Sequence, residues 1–136
     1  MRSLVSELGV KDRVEVRDWV GPAGRDALLV DSDVYVLPSL NEGLPMGMLE
    51  AMSWQLPVLT TPVGGIPELV VDGVNGLLVP PTDLASLTAA MARLARDEAL
   101  RESLGRAGRE SVRPLGIEGY VERLSAILHR AVELGR

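Results

Sequence analysis

Apolar and polar positions along this chain change period several times, and each change marks an element. Across residues 2–9, Leu4, Val5 and Leu8 share a helical face, and Gly9 suits the position just past a helix end. Lys11-Asp12-Arg13 reads as a turn. Val14-Glu15-Val16-Arg17 alternates apolar with charged, the pattern of a strand with one wet face. The turn Trp19-Val20-Gly21-Pro22 then leads into a helix over 23–31 that presents Ala27, Leu28 and Val30. An indole this close to a strand is expected in the core, given the area it buries; stacking on a ligand is the other reading. Residues 33–38 read as a parallel strand covered on both faces, with a continuous apolar run from Val34 to Leu37. A helix from Pro45 turns Leu49, Met52 and Leu56 inward with Met48 beside them; Met46, Met48 and Met52 are expected to be flexible fillers. Residues 57–61 form the next strand, closed by Pro62-Val63-Gly64-Gly65, whose glycines either let a ligand approach the backbone or supply positive φ.

A short helix over 66–71 carries Glu68 near its positive end, and the turn Asp72-Gly73-Val74-Asn75-Gly76 precedes a last strand over 76–79. Beyond Pro80-Pro81 the pattern is helical. Thr82 or Asp83 caps a helix with Leu84, Leu87, Met91 and Leu94 on one face; Leu100, Leu104 and Ala107 line a second, ended by Pro114. The third runs over 117–134 with Tyr120, Leu124, Ile127 and Ala131 as its buried stripe. Helix and strand therefore alternate four times before three helices. That order predicts an α/β fold, a Rossmann-like parallel sheet with flanking helices.

Within this order one stretch concentrates the candidate chemistry: Pro38-Ser39-Leu40-Asn41-Glu42-Gly43-Leu44-Pro45-Met46-Gly47-Met48-Leu49-Glu50. It passes from strand through loop to a helix N-terminus, the place where open α/β sheets bind ligands. Pro45 suits the first helical position, which leaves the amides of Met46, Gly47 and Met48 without helical partners. An anion satisfies them, and the helix dipole favours it. Gly43 and Gly47 lack a Cβ and allow a ligand close to the backbone. Glu42 and Glu50 frame the amides. Carboxylates repel phosphate but accept hydrogen bonds from hydroxyls, so the ligand implied is a phosphate flanked by sugars.

Composition removes competing classes. The 136 residues suffice for one domain with a real core, and the apolar and charged fractions, 46% and 24%, are ordinary for a globular protein. A net charge of −5 opposes a nucleic-acid partner. Without cysteine there is no disulfide, thiolate nucleophile or thiolate-bound metal. The single histidine, His129, is expected on a solvated helix face. No carboxylate spacing suggests a metal site, and no run is long enough to span a membrane. A cytoplasmic chain without membrane contact of its own is the expectation.

Glu42-x7-Glu50 with Ala51-Met52, then Leu56-Pro57-Val58-Leu59-Thr60-Thr61-Pro62-Val63-Gly64-Gly65-Ile66-Pro67-Glu68 and Gly76-Leu77-Leu78-Val79-Pro80-Pro81, resembles the donor-binding domain of retaining GT-B glycosyltransferases, the "glycosyl transferases group 1" family. The resemblance implies the later part of the C-terminal domain of a two-domain enzyme, here one truncated domain over 1–136 with the acceptor domain absent. It implies Glu42, the catalytic candidate, at the hydroxyls of the transferred sugar. It places the backbone from Gly43 through Leu44 and Met46 to Gly47 at the diphosphate, and Glu50 at the ribose. Pro45 withdraws one amide from that cradle. In the family the turn near Trp19 lies beside the nucleotide base, and Asp18 stands where a glycine is usual. No cofactor beyond the nucleotide diphosphate sugar, with UDP or GDP as the nucleotide, is implied.

A complete doubly wound sheet needs two more strands before Val14. The Arg-x-Lys-Gly segment that follows them in the family is absent. An unpaired edge on the strand 34–38 therefore predicts one of two outcomes: direct pairing with 14–17, or a homodimer that covers the edges. The function implied is donor binding in a hexosyltransferase. The alternatives are a module that binds nucleotide or sugar phosphate without catalysis, and part of an epimerase or phosphorylase of the same design.

Overall fold

The computed structural model describes residues 2–134, which fall into two compact units divided between Asp31 and Ser32. The first unit contains α1 (Arg2–Glu7) and α2 (Pro22–Val30). Gly9 at φ 65° ends α1 as its sequence requires, with the Val10 amide donating back to the Val5 carbonyl at 3.2 Å. Only Val5 of the expected α1 face is buried; Leu4 and Leu8 are exposed. Likewise α2 buries Leu29, with Leu28 half-buried and Ala27 and Val30 exposed.

Two expectations fail in this unit. Residues 14–17 are extended but belong to no strand, because alternation supplies the backbone shape while a strand also needs a ladder partner. Their Arg17 and Glu15 side chains pair with each other at 2.8 Å in solvent instead. Trp19 is 84% exposed, so the core reading of this indole is wrong; its ring lies over Gly21, where an added Cβ would stand 3.3 Å from it.

The second unit is built on three parallel strands, β1 (Tyr35–Leu37), β2 (Val58–Thr60) and β3 (Leu77–Leu78), in the order β1-β2-β3. The register sets Val36 beside Leu59 and Leu59 beside Leu77, so these three form one row on one face. Leu59, Leu77, Val79, Leu94 and Leu104 make a buried core, with Leu87, Ala90 and Leu100 against it. Since β1 pairs only with β2, the expected direct pairing of residues 34–38 with 14–17 does not occur among the described residues.

Around the sheet lie α3 (Met46–Ser53), the short α4 (Ile66–Leu69), α5 (Leu84–Arg96) and α6 (Glu98–Val112). Asp83 and Asp97 cap α5 and α6, their side chains accepting from the Ser86 and Leu100 amides. On α5 the inward face is Leu87, Ala90 and Leu94, while Leu84 and Met91, expected to share it, are exposed. Asn75 is no mere turn residue. It is buried, accepts from the Val71 amide at 2.7 Å, and donates to Leu69 O and Ser111 Oγ, tying the turn before β3 to α6.

After a 3₁₀ turn at Arg113–Leu115, α7 (Ile117–Leu134) closes the chain. Its stripe is present but not buried: Tyr120, Leu124 and Ile127 are all exposed, and the Ala131 side chain lies outside the described residues. The periodicity correctly marks an amphipathic helix. It carries no information on whether a partner face lies opposite. His129 is exposed, its Nδ1 2.8 Å from Ser125 O. Among the described residues no helix is long and apolar enough to cross a membrane.

Candidate functional site

The loop from Pro38 to Pro45 leaves the C-terminal end of β1 and delivers the chain to α3. Pro45 itself, at φ −71° and ψ 116°, is the residue just before the helix and not its first member. That one-residue shift changes which amides are available. Met48 N–H donates to the Pro45 carbonyl at 3.0 Å, so Met48 leaves the expected set of three. Met46 and Gly47 precede the first helical bond, and their amides remain at the positive end of α3.

The structure brings the expected residues to this one place with unequal burial. Glu42 and Glu50 are half-buried, as is Gly47; Gly43, Leu44 and Met46 are exposed. Met46, 66% exposed, is not a filler like Met48 and Met52, which are fully enclosed. Its side chain stands in solvent at the amide cluster. Glu42 does not wave freely in its loop, because Ser39 Oγ donates to its Oε1 at 2.6 Å. Between Pro38 and Glu50 the chain has no Lys or Arg, so positive character within this stretch comes from backbone amides and the helix end alone.

The second glycine turn completes the loop. Gly64 adopts φ 58°, and a Cβ there would stand only 1.9 Å from the Glu42 carbonyl oxygen. Gly65 N–H donates to the Gly43 carbonyl at 2.7 Å. Gly64 thus supplies positive φ, and the close approach at these glycines is to the loop of Glu42.

Tyr35 also belongs to this site, although nothing in a run of Val34, Tyr35, Val36 and Leu37 singles it out. Its hydroxyl occupies the space that a side chain on Gly47 would need: a Cβ there would lie 2.9 Å from it. Burial first, then the charges of Glu42 and Glu50, push its phenol above the ordinary value. It therefore keeps its proton to higher pH than a free phenol does. The missing Cβ of Gly47 was the available signal, since a glycine in a helix costs stability unless something needs the room.

Known proteins share both sequence and fold with this chain. The profile described as "Glycosyl transferases group 1" matches residues 1–97. A putative colanic acid biosynthesis glycosyltransferase, WcaL of Salmonella typhimurium, is 36% identical over 119 residues, which covers 82% of this chain and 29% of that protein. Sucrose-phosphate synthase from Thermosynechococcus elongatus superposes with a TM-score of 0.84 at 30% identity, over 99% of this chain and 34% of that one. HepE of Anabaena, solved in complex with UDP, has the same fold, with a TM-score of 0.85 at 21% identity over 95% of this chain and 35% of its own. The chain spans about a third of the length of each of these proteins.

Proposed function

The chain belongs to the glycosyl transferases group 1 family, and from that membership we propose that the loop before α3 binds the donor, a nucleotide diphosphate sugar. The observation that carries the reading is the pair of half-buried carboxylates, Glu42 and Glu50, on either side of the Met46 and Gly47 amides. Glu42 accepts hydrogen bonds from hydroxyls of the transferred sugar. The backbone from Gly43 to Gly47 holds the diphosphate, with Leu44 and Met46 at its exposed rim, and Glu50 accepts from the ribose. Amides fixed at a helix end cost no reorganisation as charge builds on the departing diphosphate, which is how such a site lowers the barrier to sugar transfer. No metal or further cofactor enters this scheme. The UDP in the HepE complex belongs to the same ligand class.

A second reading, a module that binds donor without transferring sugar, is favoured by one observation: the loop and first helical turns carry no cationic side chain to neutralise the leaving diphosphate. Calorimetric titration with UDP, GDP and ADP and their sugar conjugates tests the site. Glu50→Ala is expected to weaken every ligand, and Glu42→Ala only the sugar conjugates, each by about tenfold, as for the loss of a hydrogen bond to a charged group. Equal binding by both variants and the parent would refute the assignment. Donor hydrolysis or transfer measured on the same samples separates an enzyme from a module.

A further inference from the structure

The end of β2 and the segment that follows it grip the backbone of the donor loop at successive points. Thr60 Oγ1 donates to the Leu37 carbonyl at 2.9 Å and Thr61 Oγ1 to the Ser39 carbonyl at 2.5 Å. Gly64 lies against the Glu42 carbonyl, and Gly65 N–H bonds that of Gly43. Both threonines are buried, at 0% and 1% exposure, so water cannot replace these acceptors. Ser39 is the link. Its carbonyl is held by Thr61, and its hydroxyl holds the Glu42 carboxylate at 2.6 Å.

This line of contacts has a direction. It starts in a fully buried strand end, passes through one serine, and stops on the half-buried carboxylate. Valine would fill the Thr61 site equally well if packing were its whole purpose, and an alanine in place of Gly64 would drive its Cβ into the loop's backbone. We propose that Thr61, Ser39 and Gly64 are positioning residues: they set the Glu42 carboxylate and the Gly43 backbone in their binding arrangement before any ligand arrives. A loop ordered in advance loses less freedom on binding, and a carboxylate already aimed discriminates among sugars. The identity of the ligand rests on the donor-site reading above; the ordering of the loop rests on these contacts alone.

Amide hydrogen exchange, followed by NMR on the full chain, reads the ordering without any ligand. The variants are Thr61→Val, which keeps shape and loses the hydroxyl, Thr61→Ser, which keeps the hydroxyl, and Ser39→Ala. In Thr61→Val the Gly65 amide is expected to exchange about tenfold faster, while the Val79 amide, bonded to the Thr60 carbonyl, keeps its rate and Thr61→Ser behaves as the parent. In titrations, Ser39→Ala, which frees only the Glu42 carboxylate, is expected to lose about tenfold in affinity for the sugar conjugate and to keep the parent's affinity for the bare nucleotide diphosphate, whereas Thr61→Val, which also frees the Gly43 backbone, weakens both. An unchanged Gly65 rate in Thr61→Val overturns the proposal. So does faster exchange at Gly65 and Val79 alike, which would make Thr61 a general stabiliser, and so does undiminished sugar discrimination in a Ser39→Ala chain that binds. A parent that binds no nucleotide, with the exchange pattern as expected, removes the donor-site reading and leaves the ordered loop standing.

Discussion

Tyr35 shows how a single side chain acquires a role from its surroundings. By composition it is one more β-favouring aromatic, yet its hydroxyl stands at the first turn of α3 beside Gly47, under the influence of Glu42 and Glu50. The sign of its effect on stability follows from the raised phenol. Above the ordinary value of 10 the unfolded chain has lost this proton while the folded chain keeps it, so stability is full below that pH and falls as pH climbs toward the folded value. Tyr35→Phe is expected to flatten the alkaline limb of the stability curve. An unchanged alkaline limb in urea melts at several pH values would contradict this.

Among the elements, α6 illustrates what a hydrophobic pattern leaves out. Leu100, Leu104 and Ala107 marked its inner face from sequence, but the tightest contacts are made by glycines. Gly105 approaches the end of α3 so closely that a Cβ would stand 2.0 Å from the Gln55 carbonyl oxygen; Gly108 has more room, 3.3 Å from that of Asn75. Gln55 is itself held at φ 61°, and Arg109 reaches its side chain at 3.0 Å. Gly105→Ala is therefore expected to destabilise the chain by about 1–3 kcal/mol, the usual cost of forcing volume into a filled contact. Gly108→Ala should cost less, a ranking that urea midpoints at constant m-value would check. Reversal of the ranking would mean that α3 and α6 separate more readily than their fit suggests. Glycines in a helix look like weaknesses in the sequence; only the neighbouring backbone shows why they are there.

For the molecule as a whole, the consequential feature is the edge of the sheet. Among the described residues β1 pairs with β2 alone, and residues 14–17 form no strand. Unpaired edges recruit other chains. The isolated chain is accordingly expected to sediment at twice the monomer mass at micromolar concentration. A parent that stays monomeric would show that the edge needs no second copy. The exposed stripe of α7, from Tyr120 to Leu128, is a second surface whose periodicity was readable and whose burial was not.

What this sequence determined by itself was local and periodic. The alternation of helix and strand beyond residue 32, the helix cap at Asp83, the positive φ at Gly9 and the helix start beside Pro45 all follow from near-neighbour sterics and hydrogen bonding, which a few residues suffice to specify. The gathering of Glu42, Gly43, Gly47 and Glu50 at one helix end was legible for the same reason, since one loop and one helix turn hold them all. Tertiary structure decided everything that depends on a distant partner. Whether residues 14–17 pair, whether Trp19 and α7 are covered, what Tyr35 and the α6 glycines touch, and how Thr61 reaches Ser39 are questions about segments far apart in the chain. Burial and register are properties of pairs of surfaces, and one surface's pattern shows that it can be buried without showing what buries it.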